Sequence, residues 1–516
     1  MLRDFISISL TAGRGKYMNI LLAYYRYSPH TNGPSTYIDI LRKSLEGEGH
    51  SVDLMSHDTR WLNIQVADQQ PADKHRLKHE LIHRLQTAYT EKYPLWIYWR
   101  EMERYSLEQA VKQFDLKKYD LIHCHDFMTA RALARSKPQH TPLIVSLHNF
   151  KYHEAKITGE FDEKSGQEQQ YMKIEECLGA MSGDVVAVPC EWLKHELIQI
   201  GVTPSNIRVI PYGIVKTPFI EKKNNLPKSL PHQGKKIILC PARLVPVKGH
   251  RYLIEALYKL RCERDDFHCL LAGEGPELET LQSLSEKLGI ASAVSFLGKR
   301  KDIPDLMNIS DVIVLPSLHD TFPLVILEGQ FSAKPVLATN VGGVKEIIDD
   351  GANGLLVPPA DSEALTEKLR LLLDDDKTRQ KLGRQAFQKA MKHWDISFHM
   401  RSIENLYQTF ETQKRAVRSC KNHRKEQGLD LEILEQIGEK KTSEAEYTIA
   451  GEIPEHLKSQ LKKEDHYIHV YDLSGVLLQT KAVDSKGCYE FHQLPRGSYV
   501  LKSTIEAFGN QFISLD

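Results

Sequence analysis

The chain has 516 residues, of which 41% are hydrophobic and 26% charged. That is the balance of an ordinary globular protein long enough for about three domains. Lys plus Arg equals Asp plus Glu at 68 each, so no global basic field exists to gather nucleic acid, and any anion site has to be local. The 8 cysteines are scattered without a C-x-x-C pair, which argues against a disulfide framework or a cysteine zinc site and for a reduced, cytoplasmic setting.

No apolar stretch approaches the ~20 residues that cross a bilayer. Residues 2–12 (LRDFISISLTA) carry Arg3 and Asp4 and alternate with serine, unlike a secretory signal. They read as part of an N-terminal extension, 1–17. From Met18 the pattern is orderly: an apolar run (NILLA) predicts a buried strand, a polar loop SPHTNGPS follows, and Tyr37, Ile38, Ile40, Leu41 and Leu45 recur at helical spacing before a second strand at SVDLM. Strand, loop, helix, strand is the unit of a parallel sheet. Residues 59–118, rich in charge and aromatics, read as a helical insertion over a cleft. The strand–helix rhythm returns at YDLIH, PLIVSL, Val185–Val188 and Ile207–Ile210, closing a first Rossmann-like domain at 18–220.

A polar linker, Glu221–Gly234, precedes a second alternation over 235–395. Strands are expected at KIILC, His268–Ala272, Ala293–Leu297, DVIVL and Pro335–Thr339. Helices are expected at His250–Leu260, Glu277–Leu288, Pro323–Ser332 and Gly343–Asp349. The fold class is therefore α/β, two doubly wound sheets facing a cleft where ligands bind at the carboxyl ends of the strands. Residues 396–445 read as a helical return and charged linker. Residues 446–516 alternate apolar and polar at period two between glycine turns, which predicts a small antiparallel β-sandwich.

Two segments carry chemistry. PARLVPVKGH places Arg243 and Lys248 in a loop directly after a strand. Two fixed cations there can neutralise the charge that builds on a departing diphosphate, Arg by gripping two oxygens and Lys as a point charge. A solvated charged turn is the competing reading. In HDTFPLVILEGQF, Asp320 and Glu328 stand in a D-x7-E arrangement, with Pro323 suited to the first turn of the following helix and the free amides of that turn suited to phosphate. Asp320 could instead be a helix cap. Glu328 lies among Val325, Ile326, Leu327 and Phe331, where a carboxylate usually has a partner.

From about Met18 to Glu411 the chain resembles the retaining, family-four glycosyltransferases of the GT-B fold (glycosyltransferase group 1). The resemblance rests on NG at 32–33, EGEGHSV, DLIHCHD, SLHN, VPCEWLKHEL, RVIPYGI, PARLVPVKG, LAGEGPE, VSFLGKR and the segment 320–359 in order. It implies a nucleotide-diphosphate sugar as donor, no cofactor besides it, no catalytic metal, and a glycan or lipid acceptor. It implies that Arg243 and Lys248 hold the diphosphate, that Asp320 contacts the donor sugar, and that Glu328 binds the ribose. It places His148 beside the donor sugar, Asn32-Gly33 near the phosphates, Gly298–Arg300 beside the base, and Phe322 and Leu324 in the donor-binding set. His148 also suits a structural place at a strand end. The chain departs from the family pattern at Asp320 (usually Glu), Asn32 and Pro323 (usually Gly) and Tyr212 (often Asn).

Other features bear on metal and membrane binding. His123 and His125 alternate along a strand end, which does not make a metal site. Asp374-Asp375-Asp376 follows a helical run and reads as a solvated helix boundary. The basic run Lys414–Lys425 suits either a solvated linker or a peripheral contact with anionic lipid. Residues 470–501 resemble transthyretin-like modules of carboxypeptidases, a candidate for docking a protein or glycan. The alternative function is a catalytically weakened GT-B protein acting as a scaffold or coat component.

Overall fold

The computed structural model describes residues 17–26, 33–89, 93–221 and 234–413, together with six strands beyond residue 446. The chain divides into two compact units, one of residues 1–196 and 202–427, the other of 197–201 and 428–516.

The first half runs β1 (Asn19–Ala23), α1 (Gly33–Gly47), β2 (Ser51–His57), β3 (Asn63–Val66), β4 (Ala72–Asp73), α2 (Lys74–Tyr89), α3 (Leu95–Val111) and β5 (Leu121–Cys124). It continues through α4 (Phe127–Ser136), β6 (Leu143–Ser146), α5 (Lys151–Thr158), α6 (Gly166–Met181), β7 (Val185–Val188), α7 (Glu191–Gln199), β8 (Ile207–Val209) and α8 (Thr217–Ile220). The sheet order is β4-β3-β2-β1-β5-β6-β7-β8, parallel from β2 to β8. Fully buried four-residue strands such as LIVS and VVAV lie between helices on both faces, which is why they are apolar without alternation.

Residues 59–118 correct the expectation of a helical insertion. β3 and β4 pair antiparallel at the edge of the sheet, Met55 opposite Val66 and Asn63 opposite Asp73, before the two helices begin. α3 is packed into the domain: Glu101 and Arg104 are both buried, with Arg104 Nη2 2.6 Å from Glu101 Oε2 and the Tyr171 hydroxyl donating to Glu101 at 2.5 Å. A buried ion pair tolerates desolvation only with such added hydrogen bonds.

The second half contains β9 (Lys236–Cys240), α9 (His250–Arg261), β10 (Phe267–Leu271), α10 (Leu278–Lys287), β11 (Val294–Phe296), α11 (Ile303–Ile309), β12 (Val312–Leu315) and α12 (Leu324–Phe331). After these come β13 (Val336–Thr339), α13 (Val344–Ile347), β14 (Leu355–Val357), α14 (Ser362–Asp374) and α15 (Asp376–His393). Its parallel sheet has the order β11-β10-β9-β12-β13-β14. The order reverses between β9 and β12, the switch point where such sheets bind ligands. The helix expected over Gly343–Asp349 is shorter, one turn at α13.

α16 (Ile396–Gln413) carries the chain back to the first domain, where His399 bonds the Tyr37 hydroxyl and the Pro211 carbonyl, and the Tyr407 hydroxyl meets His123. Beyond it lie β15 (Tyr447–Glu452), β16 (Tyr467–Asp472), β17 (Leu477–Ala482), β18 (Cys488–Leu494), β19 (Gly497–Ser503) and β20 (Gln511–Leu515). β15 and β18 pair antiparallel, and β17-β16-β19-β20 form a four-stranded antiparallel sheet. The extension 1–16, Asn32, most of the linker at 222–233 and the basic run 414–425 lie outside the described residues. Among the described residues no helix is long and apolar enough to cross a membrane.

Candidate functional site

Arg243 and Lys248 leave β9, and Asp320 leaves β12, the two strands flanking the switch point of the second sheet. The loop after β9 turns at Gly249, where φ is +66° and a Cβ would sit 2.0 Å from the Pro316 carbonyl oxygen. Only glycine lets the two loops approach this closely. Lys248 Nζ donates to Asp320 Oδ2 at 2.6 Å, both side chains largely shielded from solvent. The Arg243 side chain is exposed and makes no ion pair among the described residues.

Two expectations about this loop change. Pro323 is the residue before α12, not inside its first turn, with ψ of 118°. Asp320 does not cap that helix, because no side chain does and its carboxylate holds Lys248. Gly342 closes the other side: at φ +52° its Cβ would lie 2.0 Å from the Asp320 carbonyl oxygen.

Unpartnered buried polar atoms concentrate here. Ser317 Oγ, His319 Nε2, Thr321 Oγ1 and both ring nitrogens of His250 have no hydrogen-bond partner among the described residues. Burial pushes the His319 and His250 imidazoles down to about 4, so both are neutral near pH 7. The Glu328 carboxylate also has no side-chain or backbone partner among the described residues, and burial pushes its pKa up to about 7. A native interior seldom leaves so many polar groups unpaired unless something else meets them.

The remaining predicted residues sit as follows. His148 follows β6 on the facing domain. Its Nε2 lies 3.2 Å from His125 Nδ1, and its Nδ1 meets the Tyr212 hydroxyl. Burial holds His148 down to about 3. Phe322 is buried edge-on to Tyr212 with ring centroids 5.6 Å apart, and Leu324 opens α12. Gly33 begins α1, and a Cβ there would meet nothing within 4 Å among the described residues. Arg300 is held by Asp302, Nε to Oδ1 at 2.8 Å, so reaching a base would require it to share that carboxylate.

Sequence reasoning missed the support around His148. Tyr212, in sequence only a departure from the family pattern, orients the His148 ring, while Tyr37 packs against His125, His148, Tyr212 and His399 at centroid distances of 4.9–5.8 Å. The paired histidines of HCHD were the available signal. His123 there bonds Ser146 Oγ at 2.7 Å and Tyr407. Asp375 caps α15 by accepting from the Lys377 and Thr378 amides, and Asp374 and Asp376 pair with Arg264 and Lys236, as suits a helix boundary.

The domains meet beside this site. The Glu346 carboxylate accepts from the Glu191 and Trp192 amides at 2.9 and 2.8 Å, capping α7 from the other domain. His319 packs against His153 and Trp192, with centroids 5.1 and 5.4 Å away.

Known proteins match this arrangement. Residues 31–216 match Glycosyltransferase Family 4, and residues 221–389 match Glycosyl transferases group 1. An uncharacterized glycosyltransferase of Methanocaldococcus jannaschii is 28% identical over 369 residues, 69% of this chain and 90% of that one. The D-inositol 3-phosphate glycosyltransferase of Corynebacterium efficiens is 29% identical over 295 residues, 53% of this chain and 67% of that one. Sucrose-phosphate synthase from Thermosynechococcus elongatus superposes with a TM-score of 0.61 at 19% identity, covering 76% of this chain and 99% of that one. Anabaena HepE, crystallised with UDP and glucose, gives 0.57 at 20% identity, covering 76% and 100%. Two Rossmann-like domains and two tandem matches, to Glycosyltransferase Family 4 in the first half and Glycosyl transferases group 1 in the second, agree: the chain is a glycosyltransferase with the GT-B fold.

Proposed function

We propose that this chain transfers a sugar from a nucleoside-diphosphate donor to an acceptor with retention of configuration, without a metal or further cofactor. The observation that carries the reading is a Lys248 ammonium held by Asp320 at the switch point, in the same loop as an exposed Arg243 that makes no ion pair among the described residues. Negative charge grows on the leaving diphosphate as the glycosidic bond breaks. Fixed cations on that oxygen stabilise the transition state more than the ground state. Asp320 holds the lysine and offers its second oxygen to a donor-sugar hydroxyl. Glu328, with no partner of its own among the described residues, is suited to the ribose hydroxyls. His148, neutral and oriented by Tyr212, lines the donor-sugar side from the facing domain. The departing diphosphate takes the acceptor proton on the same face.

UDP and glucose bind the fold neighbour HepE, so uridine donors are the first to try. The test incubates the chain with UDP-glucose, GDP-mannose and related donors, and follows nucleotide release and the anomeric configuration of the product by NMR. Inversion at the anomeric carbon would overturn the mechanism. Failure of every nucleotide sugar to bind or react would overturn the donor assignment.

A further inference from the structure

A cavity of about 360 Å³ opens on the first domain, its walls including Tyr25, Trp61, Leu62, Lys74, Lys78 and Glu103. Tyr25 follows β1 and Trp61 follows β2, so the cavity lies at the carboxyl ends of the parallel strands, the end from which His148 also emerges. Its size is that of a site for one or two sugar rings.

The walls are assembled at a cost. Trp61 has φ of +62°, a backbone conformation side-chain-bearing residues rarely adopt, held by a turn in which Asp58 accepts from the Leu62 amide at 2.9 Å and the Asn63 side chain at 2.8 Å. Lys74 is only 6% exposed, its ammonium 2.7 Å from Glu103 Oε2. Lys78 and the Tyr25 hydroxyl, the latter at 2.8 Å, also donate to Glu103. His57, 1% exposed, packs against both the Tyr25 and Trp61 rings at centroid distances of 4.8 and 4.7 Å, and those two rings lie 5.6 Å apart. Its Nδ1 meets the Tyr25 carbonyl and its Nε2 has no partner among the described residues.

The charges decide what fits. Lys74 and Lys78 both face Glu103, so the two ammonium groups of the wall are already committed to its one carboxylate. A phosphate would have to compete with Glu103, whose three donors hold it at about 2 and fully ionised. A lipid chain would desolvate the three charged side chains of the wall without pairing any. A neutral sugar presents hydroxyls to ammonium and carboxylate and its C–H surface to aromatic walls. We propose that this cavity is a subsite for a neutral saccharide ring of the acceptor, which makes the acceptor a glycan. The inference rests on the glycosyltransferase reading.

Saturation-transfer NMR on the full chain tests it, with saturating UDP and, as probes, methyl α-D-glucopyranoside, methyl α-D-mannopyranoside, methyl β-D-galactopyranoside, methyl β-D-glucuronide and inorganic phosphate. At least one neutral glycoside binds, more tightly than the glucuronide or phosphate. Trp61→Ala and Glu103→Gln each weaken that binding about tenfold or more. Trp61→Phe keeps it within about threefold, which separates loss of the wall from loss of fold. The proposal is overturned if no neutral glycoside binds, if phosphate is preferred, or if Trp61→Ala binds as well as the parent. Failure of UDP to bind would count against the uridine donor instead, and the glycoside signals would still decide the subsite.

Discussion

Lys248 reaches across the switch point to Asp320, 2.6 Å from ammonium to carboxylate, and so ties the loop after β9 to the loop after β12. Under the proposed function this pair presets the lysine for the departing diphosphate. Lys248→Ala is expected to lower turnover on the order of a hundredfold or more, because a preorganised cation acts mainly on the transition state. Turnover at saturating nucleotide sugar checks this; an unchanged rate removes Lys248 from the mechanism.

Glu328 makes stability depend on pH. Its folded pKa, about 7, lies above the ordinary 4.5, so the folded state holds a proton that the unfolded chain releases. The contribution is complete below pH 4.5 and is lost as pH rises to about 7. Glu328→Gln is expected to be more stable than the parent at pH 8, by on the order of 1–3 kcal/mol, and equal to it at pH 4. Urea unfolding at the two pH values reads the difference, and the same variant should bind nucleotide more weakly.

The histidine network has the opposite sign. Burial pushes His123 and His148 down to about 3 and His399 to about 4, and holds His125 well below its usual value. These imidazoles are neutral when folded, while the unfolded chain takes up protons below about 6.5. Their stabilising contribution is present above that pH and is lost as pH falls toward 3–4. The urea midpoint should therefore drop steadily between pH 6.5 and 4, and more shallowly in His125→Gln. A flat profile would contradict the buried network.

Glu346 holds the domains together by capping α7 across the interface. Glu346→Ala leaves two helix amides without an acceptor and is expected to cost about 0.5–2 kcal/mol. Hydrogen exchange at Glu191 and Trp192 should accelerate while the β9–β14 sheet is unaffected. Unchanged exchange at those amides would show that the cap carries no weight.

Much of this was legible in the residues themselves. Short apolar runs such as NILLA and DVIVL, bounded by glycine and proline, specify buried parallel strands because a strand covered on both faces has no polar side to show. The motif PARLVPVKGH places its cations after a strand, so chain order alone puts them at a carboxyl end. Other features depended on contacts remote in sequence. β3 and β4 are too short and polar to announce themselves and exist because β2 offers an edge. Tyr212 reads as a mere departure until His148, 64 residues away, is seen to bond its hydroxyl. The Trp61–Lys74–Glu103 cavity has no motif, since it is made by a strained turn meeting two helices. Local pattern determines which elements form and where chemistry-bearing loops begin. Partners, burial and pKa depend on what packing brings within a few ångströms, and only the tertiary structure decides that.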